Sequence, residues 1–159
     1  MPRIDVADDL TDWMALQPKL AAPLSALAEA VYGDTPLTTR EREIARMRIA
    51  EANECQVCRL ARVKSAPAGM DESFYRHVLE WRSYPGYSER ERLAAEFAEK
   101  FATNHVALRE DDEFWQRMRG CYSDEEIVAL GISCSMWLGS GRLMRVLDLA
   151  QSCSLSLPA

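Results

Sequence analysis

Apolar residues recur along this chain at three- and four-residue steps, and no long stretch alternates apolar with polar. That spacing predicts helices and almost no sheet. The first predicted helix runs from about Leu10 to Tyr32, interrupted near Pro18 and Pro23, and Gly33-Asp34-Thr35-Pro36 ends it. A second starts after Thr38, where Glu41 three residues on completes a capping box, and continues to about Ala52. Asn53-Glu54 is a candidate break, after which a helical segment resumes from Cys55 to Lys64. A short helix is predicted from Asp71 to about Trp81, followed by a turn at Tyr84-Pro85-Gly86-Tyr87. Ser88 with Glu91 opens the next helix, to about Thr103, whose apolar stripe is Leu93, Ala94, Phe97, Ala98 and Phe101. A polar loop through Arg109 to Asp112 leads to a short helix, Glu113 to Arg119. Ser123 with Glu126 opens the last, from Asp124 to about Leu149. Its middle is apolar on every side, which predicts burial in the domain or between subunits. Gly139, Ser140 and Gly141 within it predict a kink or the close approach of another backbone. The three capping boxes echo one another, and shared capping chemistry explains that without an internal repeat.

Composition narrows the reading. The 159 residues fit one domain, and 48% apolar with 28% charged residues excludes disorder and low complexity. Nineteen basic and 25 acidic residues leave a net charge of -6, a poor match for nucleic acid or an anionic membrane surface. The longest uncharged apolar-rich stretch, Ile127 to Gly141, falls short of the ~20 residues a membrane span needs. The N-terminus reaches Asp5, Asp8 and Asp9 without an apolar signal core, so the expected location is the cytoplasm. Five cysteines, at 55, 58, 121, 134 and 153, do not suggest a disulfide framework but leave room for one reactive pair.

That pair is Cys55-Gln56-Val57-Cys58. Cysteines three apart on a helix share a face and can bridge with modest adjustment. A break at Asn53-Glu54 would put Cys55 at a helix N-terminus, where free N–H groups and the helix dipole favour a thiolate. From Arg40 to Lys64 there are seven basic and four acidic residues, a local +3 that also lowers a thiol pKa. On one continuous helix, Glu51, Cys55, Cys58 and Arg62 would form a stripe, with Glu51 as base and Arg62 holding the thiolate. Glu43 would then lie roughly 18 Å from Cys55 and reach the thiols only if the chain folds back or another subunit intervenes. Zinc is disfavoured, because the remaining cysteines and His77 and His105 lack companion spacing. Cys134 reads as packing, the two histidines as surface groups, and Trp81, Trp115 and Trp137 as core or subunit anchors. Arg142 must find water or a carboxylate.

The run from Leu37 through Thr-Thr-Arg-Glu-Arg-Glu43 to Cys55-Gln-Val-Cys58 resembles the AhpD-like, carboxymuconolactone decarboxylase-like superfamily. Tyr87-Ser-Glu-Arg-Glu91, Tyr122-Ser-Asp-Glu-Glu126 and Gly141-Arg142-Leu143 extend the likeness over about residues 37–148. The resemblance implies an all-α, single-domain fold that assembles into trimers or hexamers. It divides the chain into an N-terminal helical segment (1–36), a core with the CxxC (37–149) and a tail (150–159). It implies a thiol peroxidase of the alkylhydroperoxidase type, acting on organic hydroperoxides without metal or organic cofactor. Cys58 would attack the peroxide, Cys55 would resolve it as a disulfide, and Glu43 would belong to the proton relay. A lipoyl or thioredoxin-like dithiol would reduce the pair again. Two positions depart from the family pattern: Val57 and Arg62 stand where relay histidines are usual. Neither side chain shuttles a proton near neutral pH, which predicts weak peroxidase activity or another thiol reaction. The alternatives are a lactone decarboxylase, with Arg62 binding a carboxylate, and a non-catalytic dithiol sensor or oligomeric scaffold.

Overall fold

Three serine or threonine side chains start the helices that define this molecule. The computed structural model describes residues 1–150 and 155–158. Helix α1 (Pro18–Gly33) follows a single 3-10 turn, Asp12–Leu16. It begins with a proline at its first position and continues through Pro23, which has no N–H to offer the Lys19 carbonyl one turn back. Helix α2 (Thr39–Ala52) is capped by Thr38, α5 (Glu89–Thr103) by Ser88 and α8 (Asp124–Val146) by Ser123, each with the reciprocal glutamate bond of a full capping box. Between them lie α3 (Gln56–Leu60), α4 (Glu72–Arg76), α6 (His105–Arg109) and α7 (Asp112–Cys121). A 3-10 turn, His77–Glu80, continues α4 toward Trp81.

Helix α2 runs through the middle, against α5 and α8. The core holds Ile44, Ile49, Leu93, Phe114, Met118 and Leu130, all closed to solvent. The echo among the capping boxes has a structural use. Arg40 of α2 pairs with Glu91 of α5, while Arg90 of α5 pairs with Glu41 of α2. Arg90 also reaches Glu126 of α8 at 2.6 Å. Each capping glutamate therefore serves both its own helix and an arginine from a neighbour, which ties three helix starts together.

Three local expectations change. The segment from 105 to 109 is helical, with Asn104 capping it through Ala107 N–H at 3.3 Å. The segment expected to be helical to Lys64 ends at Leu60, because residues 62–63 leave the helix to form a parallel two-residue strand, β1 (Arg62–Val63), beside β2 (Ser156–Leu157). Arg62 pairs with Ser156 and Val63 with Leu157. Helix α8 ends at Val146, and Asp148 beyond it has a left-handed backbone, with φ 55°.

By length and composition alone α8 would cross a membrane. In this fold one side of it buries Leu130, Cys134, Met136 and Trp137 against α1, α2 and α5.

Candidate functional site

The chain does break where Asn53-Glu54 suggested. Asn53 closes α2, and Glu54 takes a left-handed backbone with φ 50°. That conformation costs a residue with a Cβ about 1 kcal/mol or more. The turn makes Cys55 the N-cap of α3 and rules out the continuous stripe of Glu51, Cys55, Cys58 and Arg62. Cys55 and Cys58 are joined by a disulfide, with Cα atoms 5.3 Å apart. Their environments differ. Cys55 is wholly buried, whereas Cys58 is partly accessible and lies on the wall of a cavity of about 210 Å³.

Folding back at Asn53 also links Glu43 to the turn that carries Cys58, through the Arg46 guanidinium. Glu43 is wholly buried, and its carboxylate accepts from Arg46 Nε at 2.7 Å and Nη2 at 2.8 Å. The same guanidinium donates to the Cys58 carbonyl at 2.6 Å and the Ala61 carbonyl at 3.1 Å. Tyr75 donates its hydroxyl to Glu43 at 3.1 Å. Burial and the Glu43 charge push the Tyr75 hydroxyl up to about 12, so it stays protonated as a donor. Burial opposes the charge on Arg46, yet Glu43 outweighs it and the guanidinium is raised further above its usual range. Glu43 thus holds Arg46, and Arg46 holds both ends of the turn that carries Cys58.

The other two candidates are engaged elsewhere. Glu51 pairs with Arg59 at 2.8 Å. Arg62 pairs with Glu72 at 2.8 Å, which lowers the Glu72 carboxyl, and lies over the Tyr75 ring at 4.2 Å. The positive charge counted along residues 40–64 is largely met from outside the segment, by Glu72, Glu91 and Glu99. Arg42 stacks on Tyr32 instead, and burial lowers its pKa.

Asn53 joins the break to α8. Its Nδ2 donates to the carbonyls of Trp137 at 3.2 Å and Leu138 at 3.1 Å, and its Oδ1 accepts from Arg142 Nε at 3.0 Å. Arg142 Nη2 continues to the Ala102 carbonyl at 3.1 Å. Gly141 is where α8 makes room. A methyl group there would lie 2.6 Å from Asn53 Nδ2 and 3.6 Å from Cys58 Sγ. The close approach expected at this glycine is made by a side chain rather than a backbone. Gly139 has nothing within 4 Å of the same position.

These positions fit a known family. A family model described as the carboxymuconolactone decarboxylase family matches residues 18–100. The chain belongs to the carboxymuconolactone decarboxylase family. No curated protein matches it. Among solved structures it is similar to ATU0492 of Agrobacterium tumefaciens, a protein of unknown function suggested to be the antioxidant defence protein AhpD. That likeness has a TM-score of 0.76 at 21% identity and covers 93% of this chain and 96% of that one. At such identity it establishes the AhpD-like fold.

The remaining residues singled out in the sequence play structural parts. Cys134 is buried, and burial raises its thiol pKa. His77 stacks on Tyr84 with centroids 3.9 Å apart, and its Nδ1 lies 2.8 Å from the Ser73 carbonyl. His105 is exposed. Trp81 donates to Glu99 at 3.0 Å, Trp115 to the Leu108 carbonyl at 2.8 Å and Trp137 to the Tyr32 hydroxyl at 3.1 Å. Cys153 lies outside the described residues. Among the described residues no group of three or more His, Cys, Asp or Glu could hold a metal ion. Arg46 and Tyr75 are the site residues that sequence reading passed over. The one signal for Arg46 was its position three residues after Glu43, on the same helix face.

Proposed function

We propose that this family member is a thiol peroxidase that reduces organic hydroperoxides through Cys58 and Cys55. The observation that carries this reading is the asymmetry of the pair: Cys58 lines the cavity while Cys55 is sealed behind it. In the reduced protein the Cys58 thiolate attacks the outer oxygen of R–OOH. The O–O bond breaks, an S–O bond forms, and R–O⁻ takes a proton and leaves as R–OH. Cys58 is then a sulfenic acid. The Cys55 thiolate displaces hydroxide from it, which leaves as water after taking up a proton, and the disulfide closes. An external dithiol, lipoyl or thioredoxin-like, returns two electrons and two protons.

Glu43 enters as a positioning residue. Through Arg46 it fixes the carbonyl of Cys58 and so the direction of the sulfur. With Val57 and Arg62 at the positions where the family's relay histidines are usual, turnover is slow. The reading invokes no metal or organic cofactor, a cytoplasmic location, and a trimer or hexamer built on the exposed apolar side of α8. A lactone-carboxylate substrate is disfavoured. Arg46 is the one charged side chain among the described cavity residues, and Glu43 already neutralises it.

The test is steady-state consumption of cumene hydroperoxide with a dithiol reductant. Wild type should sustain turnover above the reductant blank, and Cys58→Ser should abolish it. Equal turnover in Cys58→Ser would sink the mechanism.

A further inference from the structure

The cavity beside Cys58 says more about the substrate than the cysteines do. Its wall is hydrocarbon and aromatic: Trp13, Met14, Tyr32, Trp137, Met144 and Leu157. Its polar lining is small: the Ser25 and Ser140 hydroxyls, and the side chains of Asn53, Arg46 and Tyr32, which are already engaged. Asn53 is bonded at both ends of its amide, and Arg46 is bonded to Glu43, Cys58 and Ala61. The Tyr32 hydroxyl already accepts from Trp137. Such a site offers a carboxylate no unpaired cation and offers a very small peroxide few partners. An apolar cavity of about 150 Å³ takes up benzene and stays free of water. At about 210 Å³ this one has room for a substituted ring.

Of these six wall residues all but Tyr32 lie outside the residues 18–100 that match the family model. Trp13 and Met14 come from the 3-10 turn before α1, and Leu157 comes from β2. The N-terminal segment is tied down across the end of α8. The Met1 ammonium pairs with Asp148 at 2.8 Å, Arg3 N–H donates to the Leu147 carbonyl at 2.9 Å, and Ala150 N–H donates to Asp8 at 2.6 Å. These ties hold Trp13 and Met14 at the cavity.

We propose that this cavity selects uncharged hydroperoxides whose hydrocarbon part is about the size of a substituted benzene ring, and that Trp13 and Met14 set the upper limit. The proposal rests on the peroxidase reading for its chemistry, while its binding half stands apart. The alcohol formed when the O–O bond breaks is left in the same apolar space, so it serves as an unreactive probe.

The experiment titrates 2-phenyl-2-propanol, the alcohol derived from cumene hydroperoxide, into the oxidised full chain and follows tryptophan fluorescence. Saturable binding is expected, with at least tenfold weaker binding in Ala28→Phe, which fills the wall from α1, and with a bulkier neutral alcohol that wild type excludes bound by Trp13→Ala. A carboxylate of the same size should not bind. Stopped-flow oxidation of the reduced protein should favour cumene hydroperoxide over hydrogen peroxide by more than tenfold, and Ala28→Phe should erase that preference by slowing only the larger peroxide. No saturable binding, equal binding of the carboxylate, or unchanged binding in both variants would overturn the proposal. Selective alcohol binding with no oxidation by any peroxide would uphold the pocket as a neutral hydrocarbon site and overturn the peroxidase reading instead.

Discussion

Helices α2 and α8 invert what their compositions suggest. Helix α2, Thr-Arg-Glu-Arg-Glu-Ile-Ala-Arg-Met-Arg in its first ten residues, carries six charges in that stretch and yet buries nine of its 14 residues. Helix α8 is apolar around its middle and yet shows Val128, Ile132 and Val146 to solvent, 60%, 48% and 71% exposed. The difference lies in partners. Most of the charges of α2 meet opposite charges: Arg40 with Glu91, Glu41 with Arg90, Glu43 with Arg46, Arg48 with Glu99, while Arg42 donates to the Tyr32 carbonyl and lies over the Tyr32 ring. Burying a charge is costly unless it is paired and hydrogen-bonded, and here each member of these pairs is. The outer side of α8 has no such match among the described residues. In the proposed oligomer a second copy covers it. Charge in a sequence therefore does not mark a solvated face when the complementary charge lies on the facing helix.

The largest effect should come from breaking a pair inside α2. Arg46→Met leaves Glu43 buried without its partner and should cost about 3–5 kcal/mol, as buried pairs do when one member is removed. Denaturant melts of wild type and variant read this directly. A loss under about 1 kcal/mol would mean the helix tolerates a lone buried charge, and the comparison with α8 would fail.

A smaller effect on the monomer, but a plain one on assembly, is expected on α8. Val128→Glu with Ile132→Glu places charge on a surface the isolated chain leaves open, so stability should change by no more than about 1 kcal/mol in sum. Size-exclusion chromatography with light scattering should show trimers or hexamers for wild type and monomers for the variant. An unchanged mass would remove α8 from the interface.

The smallest effect concerns a charge at the edge of both regions. Glu54 is exposed, lies 3.9 Å from Arg145 and has a positive φ. An exposed pair at that distance contributes little, whereas glycine accepts the left-handed backbone without a Cβ clash. Glu54→Gly should raise stability by up to about 1 kcal/mol. A comparable loss on thermal melting would show that this surface pair matters after all.

Much of the fold was legible because its signals are local. Thr38 with Glu41, Ser88 with Glu91 and Ser123 with Glu126 announce three helix starts in neighbouring residues, and Asn53-Glu54 announces the break that makes Cys55 a helix N-cap. What could not be read depends on residues far apart. The strand pair Arg62–Val63 with Ser156–Leu157 is two residues long and has no periodicity to detect. The cavity is assembled from the N-terminal turn, α1, α2, α8 and the end of the chain, so no window of sequence contains it. The role of Arg46 depends on Glu43, Cys58 and Ala61 together, and the last two lie 12 and 15 residues away along the chain. Helix α6 was missed because Asn104, its cap, sits only one residue beyond the end of α5.

The difference between the two sulfurs is the claim on which the functional reading turns, and it can be tested with one oxidation. Cys55→Ser protein is reduced, given one equivalent of cumene hydroperoxide in the presence of dimedone, and digested for mass spectrometry. The expected result is a dimedone adduct on Cys58, with none on the cysteine of a matching Cys58→Ser sample. An adduct on Cys55 in Cys58→Ser, with Cys58 unmodified in Cys55→Ser, would contradict it and make the buried sulfur the one that meets peroxide.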